Sequence, residues 1–154
     1  MHNPGEAPTR PRKAVLSIAV GGLIAGVLDL TQALILFGAR VPLVIAAGLL
    51  GPGALQGGAG LYALGILLHF FIALSAAGVY FAASRRLGFL MDHPLVCGLF
   101  FGAAVDQFMS LAVLPLSALH ATGPYEYREL VQGILVHMFV VGLPISYSIR
   151  RFGR

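Results

Sequence analysis

Four polar side chains interrupt the long apolar runs of this sequence: Asp29, His69, Asp106 and His137. Each histidine stands four residues after a glycine in nearly the same phrase, GILLH at 65–69 and GILVH at 133–137. Each aspartate follows a pair of glycines at helical spacing, Gly22 and Gly26 before Asp29, and Gly98 and Gly102 before Asp106. Carboxylates and imidazoles gathered in an apolar interior admit four chemistries. They can hydrogen-bond across helices and fix their register. Paired N and O ligands suit Zn, Mn or Fe. Opposed histidines can hold a haem b with the glycines making room, although aspartates at the same level suit a porphyrin face poorly. An Asp/His chain can also relay protons or line a small-solute pathway, because imidazole titrates near neutrality.

The elements that must position these residues are built for lipid. Of the 154 residues, 58% are hydrophobic and 10% charged, and the mean hydropathy is +0.87. A soluble domain carries about 25% charged residues, so this chain lacks the polar surface to cover a water-soluble particle. The length suits one domain. The net charge of +4 does not indicate nucleic acid, because the basic residues cluster at the ends of apolar segments as topology signals. A lone cysteine, Cys97, excludes an internal disulfide and a Cys-based metal cluster within one chain.

A hydrocarbon core of about 30 Å needs about 20 apolar residues in a helix. Four stretches qualify: Ala14–Phe37, Gly60–Ala83, Pro94–Leu116 and Glu129–Ile149. Pro94 and Pro124 read as first-turn prolines opening the last two. The first stretch is longer than a signal-peptide core and is interrupted by Asp29 and Gln32, so an uncleaved helix is expected. Arg10, Arg12 and Lys13 precede it, Arg85 and Arg86 follow the second stretch, and Arg150, Arg151 and Arg154 follow the fourth. The two opposite loops carry only Arg40 and Arg128, so both termini are expected in the cytoplasm. Tyr62, Tyr125 and Tyr127 would then mark the outer interface, and Tyr80 and Tyr147 the inner one. Pro42–Leu50 is apolar but too short to cross, which suggests an interfacial or re-entrant helix. The glycine-rich GPGALQGGAG after it lacks the lysine of a phosphate-binding loop and reads as a turn.

The shared phrases point to two tandem, similar helical hairpins, each supplying one Asp helix and one His helix, with a symmetry axis along the membrane normal. Spacing of i, i+4, i+8 places Gly98, Gly102 and Asp106 on one stripe, and Gly22, Gly26 and Asp29 nearly so. Gly65 lies beneath His69, and Gly133 beneath His137. Small residues let membrane helices approach closely, so all six glycines are candidate packing positions that turn the polar groups inward. An aspartate at a helix centre costs about 2.5–3.5 kcal/mol on insertion scales, whereas each Leu, Ile, Val or Phe returns about 0.3–0.6. The first span therefore inserts, but Asp29 still needs protonation or a histidine partner.

Other residues carry less. Ser17, Ser75, Ser110 and Ser146 lack any local nucleophile signature. His120 belongs to an outer loop, Glu126 and Glu129 suit a helix N-terminus, and Met91, Met109 and Met138 read as packing.

The stretch GGLIAGVLDL with RVPL downstream, His69–Tyr80, GLFFGAAVDQFMSLAVLPLSAL, and GILVHMF ending in Arg-Arg resemble YagU-like bacterial inner-membrane proteins. The resemblance covers most of residues 20–151. It implies a small multi-helix inner-membrane protein and brings no established activity. Asp106 within the third helix and a shorter, glycine-rich first loop depart from that pattern.

The expectation is an all-α integral membrane protein with residues 1–13 as a cytoplasmic tail and 14–151 as a four-helix transmembrane domain. It would be non-enzymatic, in a bacterial inner membrane, with an intramembrane Asp/His cluster serving a proton-linked or small-solute pathway. The alternative is a structural or accessory subunit of a membrane complex, and a metal- or haem-binding protein comes third. No cofactor is assigned. Partners are the bilayer and either a second copy or a larger complex.

Overall fold

The computed structural model of the chain describes residues 10–122 and 126–153. Pro124 as a helix opener, Tyr125 as an interface residue, Arg154, and residues 1–9 of the expected tail lie outside the described residues. Among the described residues the fold is helical throughout, with no strand. The helices are α1 (Arg10–Phe37), α2 (Val41–Leu50), α3 (Ala59–Ser84), α4 (Phe89–Asp92), α5 (Pro94–Phe108), α6 (Leu114–Leu116), α7 (Tyr127–Val136) and α8 (Leu143–Phe152). Among the described residues four continuous rods are long and apolar enough to cross a membrane: Pro11–Phe37, Ala59–Ser84, Pro94–Leu116 and Tyr127–Phe152. They match the expected spans to within three residues at each end.

Local chemistry sets the boundaries. Gly38 adopts φ +86° and donates its N–H to Leu34 O at 3.0 Å, the left-handed closure that ends α1. Pro42 sits in the first turn of α2, and Gly51, at φ +91°, ends it. Pro94 opens α5 as expected. Ten residues make α2 about 15 Å long, half of what a crossing needs.

The last two spans differ from the first two. The third passes through a π-helical stretch at Met109–Val113 before Leu114–Leu116, and the fourth through one at His137–Gly142 before α8. Each wide turn ends two residues before a proline, Pro115 or Pro144. A proline inside a helix has no N–H to donate, and its ring clashes with the carbonyl four residues back. Widening the preceding turn relieves that clash. The first two spans have no proline past their first turn and stay regular.

The first span packs between the second and the fourth, and the third packs on the fourth. The second and third spans meet where the Tyr80 ring packs edge-on to Phe101 at 5.0 Å. At the opposite end α2 lies along the second span, and the Ala118 N–H donates to Gly48 O at 2.8 Å, tying α2 to the end of the third. Arg12, Lys13, Arg85, Arg86, Arg150 and Arg151 gather at one end of the bundle, with Arg40 and Arg128 at the other. At the basic end Arg150 donates to Asp92 O at 3.3 Å, and Gly153 lies against Ser17 and Phe81.

The buried core is small: Ala25, Ala77, Tyr80, Met91, Val141, Ile145 and Ile149. Larger apolar side chains point outward, with Phe100 73%, Leu111 71%, Leu67 68% and Phe71 67% exposed. A soluble bundle of this size would bury such residues; here they form the lipid-facing surface of a membrane protein.

Candidate functional site

Close helix approach builds the site. Gly22 abuts Leu74 of the second span, and Gly26 abuts Phe70 and Ala73. Gly98 abuts Ser146 and Gly142 of the fourth span, while Gly102 abuts the backbone of His137 and Met138. Gly65 has a different partner from the one its position beneath His69 suggests: it faces Pro42 of α2, and a side chain there would collide with the Pro42 carbonyl. Gly133 leaves room for a carboxylate, since a β-carbon there would come within 2.7 Å of Asp106 Oδ1.

The four polar residues resolve into two Asp–His pairs, one between the first and second spans and one between the third and fourth. In the pair on the first and second spans, His69 Nε2 lies 2.9 Å from Gly26 O and 3.9 Å from Asp29 Oδ2. A carbonyl only accepts, so Nε2 carries the proton and donates it to the backbone. Asp29 stands near but beyond hydrogen-bond distance. Their side chains are 12% and 19% exposed.

The other pair is tighter and uses the opposite tautomer. His137 Nδ1 lies 3.0 Å from Gly133 O, one turn back on its own helix, and 3.2 Å from Asp106 Oδ1. The Gly133 carbonyl only accepts, so Nδ1 carries the proton and donates it there, with the Asp106 carboxylate in close contact beside it. The second oxygen, Asp106 Oδ2, accepts from Gln107 Nε2 at 3.0 Å. Asp106 is buried, at 6% exposure, with Gln107 donating to one oxygen and the His137 ring beside the other. Among the described residues no buried side-chain nitrogen or oxygen lacks a partner.

This geometry bears on the chemistries open to the site. Among the described residues no three His, Cys, Asp or Glu groups converge as metal ligands would. Each pair offers one imidazole and one carboxylate, short of the four ligands of a typical structural metal site. The ring nitrogen that His69 would need for a metal or a haem at Nε2 is committed to a carbonyl. The pairs present the groups for charge-assisted contacts across helices and for proton movement along an imidazole.

Several contributors escaped the sequence reading. Gln107 completes the Asp106 environment, and its position beside an aspartate in an apolar helix was the available signal. Gly142 abuts the backbone of Gly98 and Gly102, making the crossing of the third and fourth spans glycine-on-glycine. A second seam joins the first and fourth spans: Ser17, Gly21 and Ala25, each four residues apart, with Gly21 against Ile145 and Ser148. That is a small-xxx-small stripe on the face next to Gly22 and Gly26. His120, with φ +45°, holds a left-handed turn beyond the third span, away from either pair.

No family model, curated protein or solved structure matches the chain.

Proposed function

We propose that this multi-pass membrane protein is a non-enzymatic component of a bacterial inner membrane in which the Asp–His pairs carry protons through the bundle. The observation that carries this reading is the Asp106–His137 contact of 3.2 Å at the first residue of a π-helical stretch. A proton taken up at His137 Nε2 creates an imidazolium whose Nδ1 lies 3.2 Å from a carboxylate oxygen. Release of the Nδ1 proton to Asp106 restores a neutral ring, so one proton enters and one moves on. π-Helical turns inside α-helices recur at functional sites, which supports this placement. So does the cost of keeping ionisable side chains at membrane depth. The motif resemblance to YagU-like proteins fits the same compartment.

Purified protein in liposomes carrying a pH-sensitive dye tests this under an imposed potential. Wild type should acidify the lumen, and His137→Gln should abolish the flux. Glutamine can still donate a hydrogen bond to Asp106 but cannot relay a proton, so the substitution separates a relay from structural glue. Flux equal to wild type in folded His137→Gln protein would sink the relay.

A second reading, a structural or accessory subunit, draws on the finding that every buried side-chain nitrogen and oxygen among the described residues has a partner. In that case the pairs serve only to fix helix register. It predicts no flux from wild type and unchanged stability in His137→Gln. In either reading the outward apolar surface serves lipid and a second copy or a partner chain.

The orientation we propose places both termini in the cytoplasm, because Arg12, Lys13, Arg85, Arg86, Arg150 and Arg151 all belong to the basic end. Reporter fusions after Arg86 and at the C-terminus should both read as cytoplasmic, and one near Thr122 as external. An external C-terminus would reverse the assignment.

A further inference from the structure

Between the second and third spans, within two turns of the basic end, runs a groove of about 670 Å³. Its walls are Val79 and Ala83 of the second span, Leu90 of α4, and Val96 and Phe100 of the third, with His93 on the rim. The groove is a fixed part of the fold. Its floor is the edge-on contact of Tyr80 with Phe101, and the Tyr80 hydroxyl donates to Leu90 O at 3.2 Å, which anchors α4 as the end wall. No carboxylate lines it. Val79, Val96 and Phe100 are 62%, 52% and 73% exposed, so the walls open toward lipid and not into the bundle. At the same end stand the exposed Arg85 and Arg86, with the Arg85 guanidinium 5.0 Å from the Phe81 ring centroid.

We propose that this groove seats an acyl chain of an anionic phospholipid whose phosphate rests on Arg85 and Arg86. The volume falls within the roughly 300–1,000 Å³ of small-molecule sites. A water-soluble ligand would find almost nothing polar in the walls to orient it, and a peptide would bring backbone groups that the walls leave without partners. An acyl chain needs neither. Its headgroup stays at the interface, where basic residues beside membrane helices attract anionic lipid. His93 adds a ring nitrogen at the rim that can donate to a phosphate.

The test compares phosphatidylglycerol with phosphatidylcholine of identical acyl chains, added to the purified full chain in detergent. Retained lipid is read by native mass spectrometry. Wild type should retain phosphatidylglycerol about tenfold more than phosphatidylcholine. The double substitution Arg85→Gln, Arg86→Gln should equalise the two lipids, while Arg40→Gln at the other end leaves the preference intact. Filling the groove with Ala83→Phe should lower retention of both lipids. Val96→Trp, at a more exposed wall position, probes the same space should Ala83→Phe fail to fold. Equal retention of the two lipids by wild type, or a preference that survives loss of both arginines, would overturn the headgroup site. Undiminished retention in the folded groove-filling variants would overturn the acyl seat.

Discussion

Gly102→Leu should abolish the folded bundle, and even Gly102→Ala should cost about 1–3 kcal/mol, the usual penalty of overpacking a close contact. A β-carbon at position 102 would overlap the His137 carbonyl oxygen and come within 2.6 Å of both His137 C and Met138 Cα. These are backbone atoms of the opposing helix, so no side-chain rotation relieves the clash; the two spans must separate. Separation draws His137 away from Asp106, one turn along from Gly102, and the buried carboxylate loses its interhelical partner. Gly78 is the matched control. It too lies within a span, but nothing stands within 4 Å of where its β-carbon would be, so Gly78→Leu should stay within about 0.5 kcal/mol of wild type. Thermal unfolding in detergent, with size-exclusion chromatography for assembly state, measures both. Wild-type stability in Gly102→Leu would mean that the third and fourth spans do not cross there.

Apolar length carried most of the architecture into view from the sequence. A run of about 20 apolar residues has few fates besides crossing a bilayer, so the spans, the short helix at 41–50 and the opening of α5 at Pro94 were all readable. Helical spacing told which residues share a face and roughly at what depth, but it cannot tell which neighbour that face meets. Gly65 illustrates the gap: its stripe was visible, yet its partner is the carbonyl of Pro42 in a helix that does not span. The same limit hid the Ser17, Gly21, Ala25 seam, which sits beside the more conspicuous Gly22–Gly26 stripe and decides that the first span also packs on the fourth.

The π-helical turns were not anticipated, although their cause stood in the sequence as Pro115 and Pro144. A proline within a span can kink, break or widen a helix, and only the packing around it selects among these outcomes. The consequence reaches the candidate site. Widening begins at His137 itself, and its Nδ1 bonds the carbonyl of Gly133 in its own helix. His69 stands in a regular helix and reaches across to Gly26 O with Nε2. Two nearly identical phrases thus place their histidines in different hydrogen-bond environments.

That difference dictates how the four residues should couple. Stability should show an interaction energy of about 0.5–2 kcal/mol between His137→Ala and Asp106→Asn, because the two side chains meet at 3.2 Å across helices. His69→Ala with Asp29→Asn should couple by less than about 0.5 kcal/mol, since 3.9 Å is beyond a hydrogen bond and the imidazole donates to backbone instead. The larger single loss in that pair should come from His69→Ala, which removes the bond to Gly26 O. His69→Ala combined with His137→Ala tests the remaining possibility, a single four-membered cluster. Separate pairs give additive losses there, within about 0.3–0.5 kcal/mol. A strong coupling between the histidines would mean that charge at one pair sets the state of the other. The relay would then run through both pairs in series and not through Asp106–His137 alone. Additivity at Asp106–His137 itself would remove the interhelical contact on which the proton pathway rests.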